Sequence, residues 1–207
     1  MSGIGKFITL EGGEGVGKST QLIALAEALE KIGIDVLVTR EPGGSAGAER
    51  IRELLLGGGE DWGARAEALL FAAARADHVE TLIAPALASG RWVLCDRFVD
   101  SSLAYQGGAG GLGIEAVRAI NAFAIAEAFP DRSLVLVLDE GGARAKARDE
   151  GGSDRIGGRP DDYHRKVAAA FRILAAEEPE RVRTVDASGS REEVTQRLLD
   201  AIQDLLP

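Results

Sequence analysis

Gly12-Gly13-Glu14-Gly15-Val16-Gly17-Lys18-Ser19 is the stretch of this chain whose reading decides its fold. It fits G-x-x-x-x-G-K-[ST], and its flanks fit as well as its letters. Phe7-Ile8-Thr9-Leu10, just before it, is a short apolar run suited to a buried strand. From Thr20 to Ile32 the apolar residues follow a helical period, with Leu22, Leu25, Ala26 and Leu29 on one face. Strand, glycine loop and helix N-terminus together make a phosphate cradle. The glycines permit a backbone path whose N–H groups converge on phosphate oxygens, and the helix end adds partial positive charge. Lys18 is placed to reach the β- and γ-phosphates, and the Ser19 hydroxyl to ligate Mg²⁺. The motif predicts binding of a nucleoside triphosphate by Gly12 to Ser19 and the adjoining Thr20.

Outward from this loop the chain alternates. Further strands are expected at Val36–Thr39, Trp92–Asp96, Leu134–Asp139 and Val182–Asp186. Helices are expected at Glu49–Leu56, Ala64–Ser89 (broken or kinked by Pro85), Ile114–Phe129, Tyr163–Glu177 and Arg191–Leu206. That alternation predicts an α/β fold, a parallel sheet covered by helices on both faces. Two segments, Gly107–Gly113 and Gly141–Gly158, read as glycine-rich loops. The second mixes Arg144, Lys146, Arg148, Arg155 and Arg159 with acidic residues, unusual for a linker in an acidic protein.

The 207 residues fit a single domain with a large core. A net charge of −9 argues against a general nucleic-acid or anionic-membrane partner, which selects for clustered cations. One cysteine, Cys95, precludes an intrachain disulfide and reads as a buried strand residue. No signal peptide or span of ~20 apolar residues is evident, so the chain reads as cytoplasmic. His78 and His164 lack metal-site spacing and read as non-catalytic.

Phosphate loops serve many reactions. A guanine-reading Asn-Lys-x-Asp segment is absent, the only asparagine being Asn121, and so is a transporter-type Ser-Gly-Gly-Gln signature. A small-molecule kinase is favoured. Four further blocks narrow it: Thr39-Arg40-Glu41-Pro42-Gly43-Gly44, Leu70-Phe71-Ala72-Ala73-Ala74-Arg75, Asp96-Arg97-Phe98, and Asp100-Ser101-Ser102-Leu103-Ala104-Tyr105-Gln106-Gly107. Together with the loop, and over nearly the whole chain, they resemble bacterial thymidylate kinases. The resemblance implies a three-layer P-loop NTPase fold with sheet order 2-3-1-4-5 and a lid at about 144–159. It also implies the reaction ATP + dTMP → ADP + dTDP with Mg²⁺, and a homodimer packed through helices such as the Ala-rich Ala64–Ala76 and Ala116–Ala128.

Chemistry supports several of these assignments. Phe71 and Arg75, at i and i+4, share a helix face, where a ring can stack on a base and a guanidinium can donate to an exocyclic carbonyl. Ser102 and Gln106 have the same spacing, and a Gln amide suits the N3–H and carbonyl edge of thymine. Cytosine inverts that pattern. Asp96 ends an apolar strand and fits the acidic member of a Mg²⁺ site. The resemblance assigns Arg97 to the dTMP phosphate with Arg52 assisting, and places Arg40 and Pro42 at the substrate. It gives Glu14 the 3′-hydroxyl, and has Tyr105 crowd the ribose 2′ position. Glu11 reads as structural. Asp186-Ala187-Ser188 resembles the loop beside the adenine. Some members carry a catalytic arginine where this chain has Gly15, so the cation falls to the lid, with Arg148 and Arg155 the candidates beside Lys18 and Arg97. The alternatives are a kinase for another pyrimidine nucleotide or a deoxynucleoside, and a nucleotide-binding regulator with an inactive site. Lys18, Ser19, Asp96 and Arg97 all being present argues against the last.

Overall fold

Five parallel strands in the order β2-β3-β1-β4-β5 form the centre of the computed structural model, which describes residues 5–57, 62–138 and 155–207. They are β1 (Phe7–Gly12), β2 (Val36–Arg40), β3 (Trp92–Asp96), β4 (Arg132–Val137) and β5 (Val182–Asp186). Helices α1 (Lys18–Lys31), α2 (Ala46–Leu56), α3 (Ala64–His78), α4 (Ala84–Ala88), α5 (Val99–Ser102), α6 (Ile114–Ile125), α7 (Asp161–Glu177) and α8 (Arg191–Ala201) surround them. The expected order and three-layer arrangement are both present.

Because side chains alternate along a strand, the sheet has two cores. Phe7, Val93, Cys95 and Val135 face a cluster completed by Val117, Phe171 and Leu174, from α6 and α7. Ile8, Leu10, Leu94, Leu134 and Leu136 face the other, completed by α1 and α8. The predicted stripe Leu22, Leu25, Ala26 and Leu29 is buried there, as Cys95 is on the opposite side. In-register pairing sets Leu10 and Arg40 opposite Asp96, and Gly12 opposite Leu136. The strands' carboxyl ends therefore gather the phosphate loop, Arg40 and Asp96 at one sheet edge, where ligands of open α/β sheets bind.

Several boundaries differ from expectation. The long helix from Ala64 is continuous to Ala88, but it widens into a π segment at Val79–Ile83 just before Pro85. The wider turn absorbs the hydrogen bond that proline cannot donate. Helix α6 stops at Ile125, because Ala126 takes a positive φ of 47°. Strand β4 begins at Arg132, a buried cation held by the Glu180 carbonyl and Asp204. Helix α8 ends at Ala201, followed by a 3₁₀ turn at Gln203–Leu205.

The first glycine-rich loop holds over residues 110–113, with positive φ at Gly111 and Gly113, and is corrected over residues 107–109. Leu103–Ala109 is a π-helical continuation of α5. A Cβ on Gly108 would stand 2.7 Å from the Ala170 Cβ of α7. Its glycine permits close helix packing, not a turn. Of the predicted lid only residues 155–159 are described. Asp139, Arg144, Lys146 and Arg148 lie outside the described residues.

Candidate active site

A cavity of about 370 Å³ opens at the carboxyl edge of the sheet. The phosphate loop, Lys18, Ser19, Thr20, Asp96 and Arg97 line it, and so do Phe71, Arg75, Ser102, Tyr105 and Gln106. Arg40, Pro42 and Arg52 complete its side near α2, and Leu56 and Ile156 add apolar wall. The residues singled out in the sequence from β1 to Gln106 thus converge on one space.

At the phosphate end, positive φ angles at Gly12 (128°), Gly15 (67°) and Gly17 (87°) carry the backbone around the cradle. A Cβ on Gly12 would lie 2.5 Å from the Leu136 carbonyl oxygen, so a side chain there is excluded. Gly15 holds a left-handed conformation that an arginine would adopt only at a cost. The Lys18 ammonium donates to the Gly13 carbonyl at 2.6 Å. Burial, with Arg97 adding, pushes its pKa down to about 8, against the pull of Asp96, Glu14 and Glu11.

Arg97 is one of the two non-glycine residues with positive φ (66°) among those described. Such backbone costs about 1–3 kcal/mol and collects at functional sites. Here it turns the guanidinium into the site. Nη1 donates to the Gly12 carbonyl at 2.8 Å and Nη2 to Glu14 Oε1 at 2.6 Å, and the cation sits 5.0 Å from the Tyr105 ring centroid. The Tyr105 hydroxyl donates to the same Glu14 oxygen at 3.3 Å. Burial alone would raise the Glu14 carboxyl, but Arg97 and then Lys18 outweigh it and hold the pKa below the usual value. The odd acid in the phosphate loop thus has two partners and ties the loop to Arg97 and Tyr105.

The Ser19 hydroxyl donates to Asp96 Oδ2 at 2.8 Å, while Asp96 Oδ1 is buried without a partner among the described residues. A hydroxyl beside a carboxylate with an unused oxygen is a hard-oxygen set that fits Mg²⁺, which takes few protein ligands and keeps its waters. Glu11, directly before the loop, is fully buried. It accepts from the Phe98 amide at 2.9 Å and the Ser101 hydroxyl at 2.6 Å. Burial, with Asp100 adding, raises its pKa to about 7. It pins the segment after β3 to the loop, the structural role expected.

The base end departs from expectation. Arg75 is only 2 % exposed, and all three guanidinium nitrogens are engaged within the protein. Nε donates to Glu41 Oε2 at 2.8 Å, Nη1 to the Ser102 hydroxyl at 3.0 Å and to Asn121 Oδ1, and Nη2 to the Phe98 carbonyl at 3.1 Å. The expected donation to a base carbonyl would have to be made by a guanidinium that these partners already engage. Arg75 lines the cavity with its donors committed to the frame, including Ser102, which lines the cavity beside it. Glu41 also accepts from His78, whose other nitrogen bonds Thr39 at 2.8 Å, so His78 belongs to the same frame. Arg155, expected at the phosphates, has protein partners in this structure. It donates to the Leu55 carbonyl at 2.9 Å and to Glu67 Oε2 at 2.6 Å. Arg52 donates to the Pro42 carbonyl, and exposed Arg40 pairs with Glu49.

Sequence reasoning missed Glu41, Glu67 and Asn121. Glu41 lies within the Thr39–Gly44 segment, an acid between Arg40 and Pro42. Glu67 and Asn121 sit on helices with no signal beyond a polar residue on an apolar face.

The chain matches the family model described as thymidylate kinase over residues 10–198. It is 59 % identical to the thymidylate kinase of Rhizorhabdus wittichii over 206 residues, covering 98 % of this chain and 99 % of that one. It is 50 % identical to the thymidylate kinase of Rhodopseudomonas palustris, covering 96 % and 89 %. A crystal structure of thymidylate kinase from Ehrlichia chaffeensis superposes with a TM-score of 0.77 at 30 % identity, covering 96 % and 98 %.

Proposed function

The chain belongs to the thymidylate kinase family, and we propose that it transfers the γ-phosphoryl group of ATP to dTMP, giving ADP and dTDP. One observation carries the reading: a single cavity joins a phosphate cradle holding Lys18 to a wall formed by Phe71, Ser102 and Gln106. The first suits a nucleoside triphosphate, the second a planar base.

In this reading the chain catalyses by alignment and charge. The acceptor is already a phosphate anion, so no general base is needed. Lys18 neutralises charge on the β- and γ-phosphates. Arg97, held by the Gly12 carbonyl and Glu14, receives the dTMP phosphate, with Arg52 beside it. Ser19 and Asp96 would hold Mg²⁺, which when bound supplies further positive charge at the phosphates. Glu14 and Tyr105 flank the deoxyribose: Glu14 accepts from the 3′-hydroxyl, and the Tyr105 ring leaves no room for a 2′-hydroxyl. Arg148 and Arg155, the latter paired with Glu67, are the candidates for the lid cation.

Among the described residues no helix is long and apolar enough to cross a membrane; we place the enzyme in the cytoplasm, as a homodimer. Exposed Leu69 on α3 and Phe123 on α6, the latter 93 % exposed, support pairing through these helices. Sedimentation at micromolar concentration tests the dimer: a monomer there sinks it.

ADP release measured with dTMP, dUMP, dCMP, dGMP, AMP and thymidine as acceptors tests the activity. The reading expects dTMP to lead, dUMP to follow within about 1–3 kcal/mol in kcat/KM, and dCMP to be rejected strongly. Preference for thymidine would point instead to a deoxynucleoside kinase, and no turnover of any acceptor to a regulator.

A further inference from the structure

Glu67, in the first turn of α3, is 2 % exposed yet carries a carboxylate. Burying such a group costs several kcal/mol unless it is paired and hydrogen-bonded. Three donors supply the pairing, all distant in sequence. Gln106 Nε2 donates to Oε1 at 3.0 Å, and Arg155 Nη2 and Arg159 Nη2 both donate to Oε2 at 2.6 Å. Arg159 also reaches the Tyr163 hydroxyl, which donates to the Tyr105 carbonyl. One carboxylate thus joins α3, the π segment after α5 and residues 155–159.

Gln106 lines the cavity. A glutamine amide has a donor end and an acceptor end, and rotation by a half-turn exchanges them. A carboxylate facing it removes that freedom: it only accepts, so the NH₂ must face Glu67 and the amide oxygen must lie on the opposite side. The alternative would set carbonyl oxygen against carboxylate oxygen in a buried site.

We propose that Glu67 is the specificity-positioning residue of the base site: by holding Gln106 Nε2 it fixes the amide oxygen as the acceptor offered to the base. The inference rests on the cavity's binding a pyrimidine nucleotide. An acceptor there matches the N3–H of thymine or uracil and opposes the N3 lone pair of cytosine. The same carboxylate holds Arg155 and Arg159, so residues 155–159 and the base-reading amide share one anchor.

The test compares wild type, Glu67→Gln and Gln106→Met with dTMP and dCMP as acceptors and ATP saturating. Glutamine at position 67 can donate as well as accept, so the Gln106 amide is free to turn. The expected result is a fall of roughly 10-fold or more in the dTMP-over-dCMP ratio of kcat/KM, mainly through KM for dTMP, with KM for ATP changed less than about 3-fold. Gln106→Met should lose a similar factor, and the double variant little beyond either single one, because both act on one interaction. A folded Glu67→Gln enzyme with the wild-type ratio overturns the proposal. Should that variant not fold, the wild-type ratio in Gln106→Met overturns it equally. A wild-type enzyme that does not distinguish dTMP from dCMP refutes the pyrimidine reading itself, a separate failure visible before any variant is made.

Discussion

The two ends of the cavity are built by opposite means. The phosphate end comes from one contiguous run, Gly12 to Thr20, joined by the strand-end pair Asp96-Arg97. Its work is done by backbone conformation, a helix end and two cations, Lys18 and Arg97, held mainly by carbonyls of the loop and by Glu14. The base end is a mesh of buried and half-buried charges. Arg75 with Glu41, Ser102 and Asn121, and Glu67 with Gln106, Arg155 and Arg159, bond across 27 to 92 residues of chain. A contiguous motif can lose a side chain and keep its shape. A buried ion network cannot, because each member is the solvation of another. The phosphate end should therefore fail first in catalysis, the base end first in stability.

The largest effect expected is on folding. Arg75→Ala strands Glu41, 6 % exposed, and should cost about 3–5 kcal/mol in urea denaturation. A loss under about 1 kcal/mol would mean the mesh is not what holds the base end, and the contrast would break. Lys18→Ala should do the reverse, lowering kcat by ~10²-fold or more while the circular dichroism spectrum stays native. Near-normal turnover in that folded variant would remove the phosphate-loop assignment.

Glu11 sharpens the contrast, since it belongs to the phosphate end in sequence but to the buried mesh in environment. Its pKa is raised from 4.5 to about 7. Its protonated form is favoured by folding, so this contribution is complete below pH 4.5 and lost as pH rises through 7. Stability should decline by roughly 2 kcal/mol between pH 5 and 8, and Glu11→Gln should flatten that decline. An equal slope in both proteins would assign the titration elsewhere. The smallest effect is expected from Tyr105→Phe. It deletes one 3.3 Å bond to Glu14 and keeps the ring, so kcat/KM for dTMP should fall by no more than ~10-fold. A larger loss would make that hydroxyl a principal contact.

Most of the architecture was legible because its signals are local. Strand runs at Trp92–Asp96 and Val182–Asp186 coincide with the observed ones, and the flanks of the phosphate loop predicted α1 to within two residues of its start. The errors share a cause. Gly107 and Gly108 were read as a loop because glycine usually breaks helices; here Gly108 answers to Ala170 across a helix contact. Arg132 was left outside β4 because nothing in its neighbourhood reveals that Asp204 will meet it.

The same division runs through the site. The order of Gly12–Ser19, Asp96-Arg97 and the block ending in Gln106 determined by itself that these segments meet at one sheet edge, because each signal lies within a few consecutive residues and a parallel sheet brings them together. What those side chains do there was decided only by tertiary structure. Arg75 lines the cavity as expected, and its donors are engaged there by Glu41, Ser102 and Asn121. Arg155 was assigned to phosphate and is held by Glu67. A hydrogen-bond donor carries no label for its acceptor. Which carboxylate claims it depends on which one burial has stripped of water nearby, and that is settled when segments far apart in the chain close on each other.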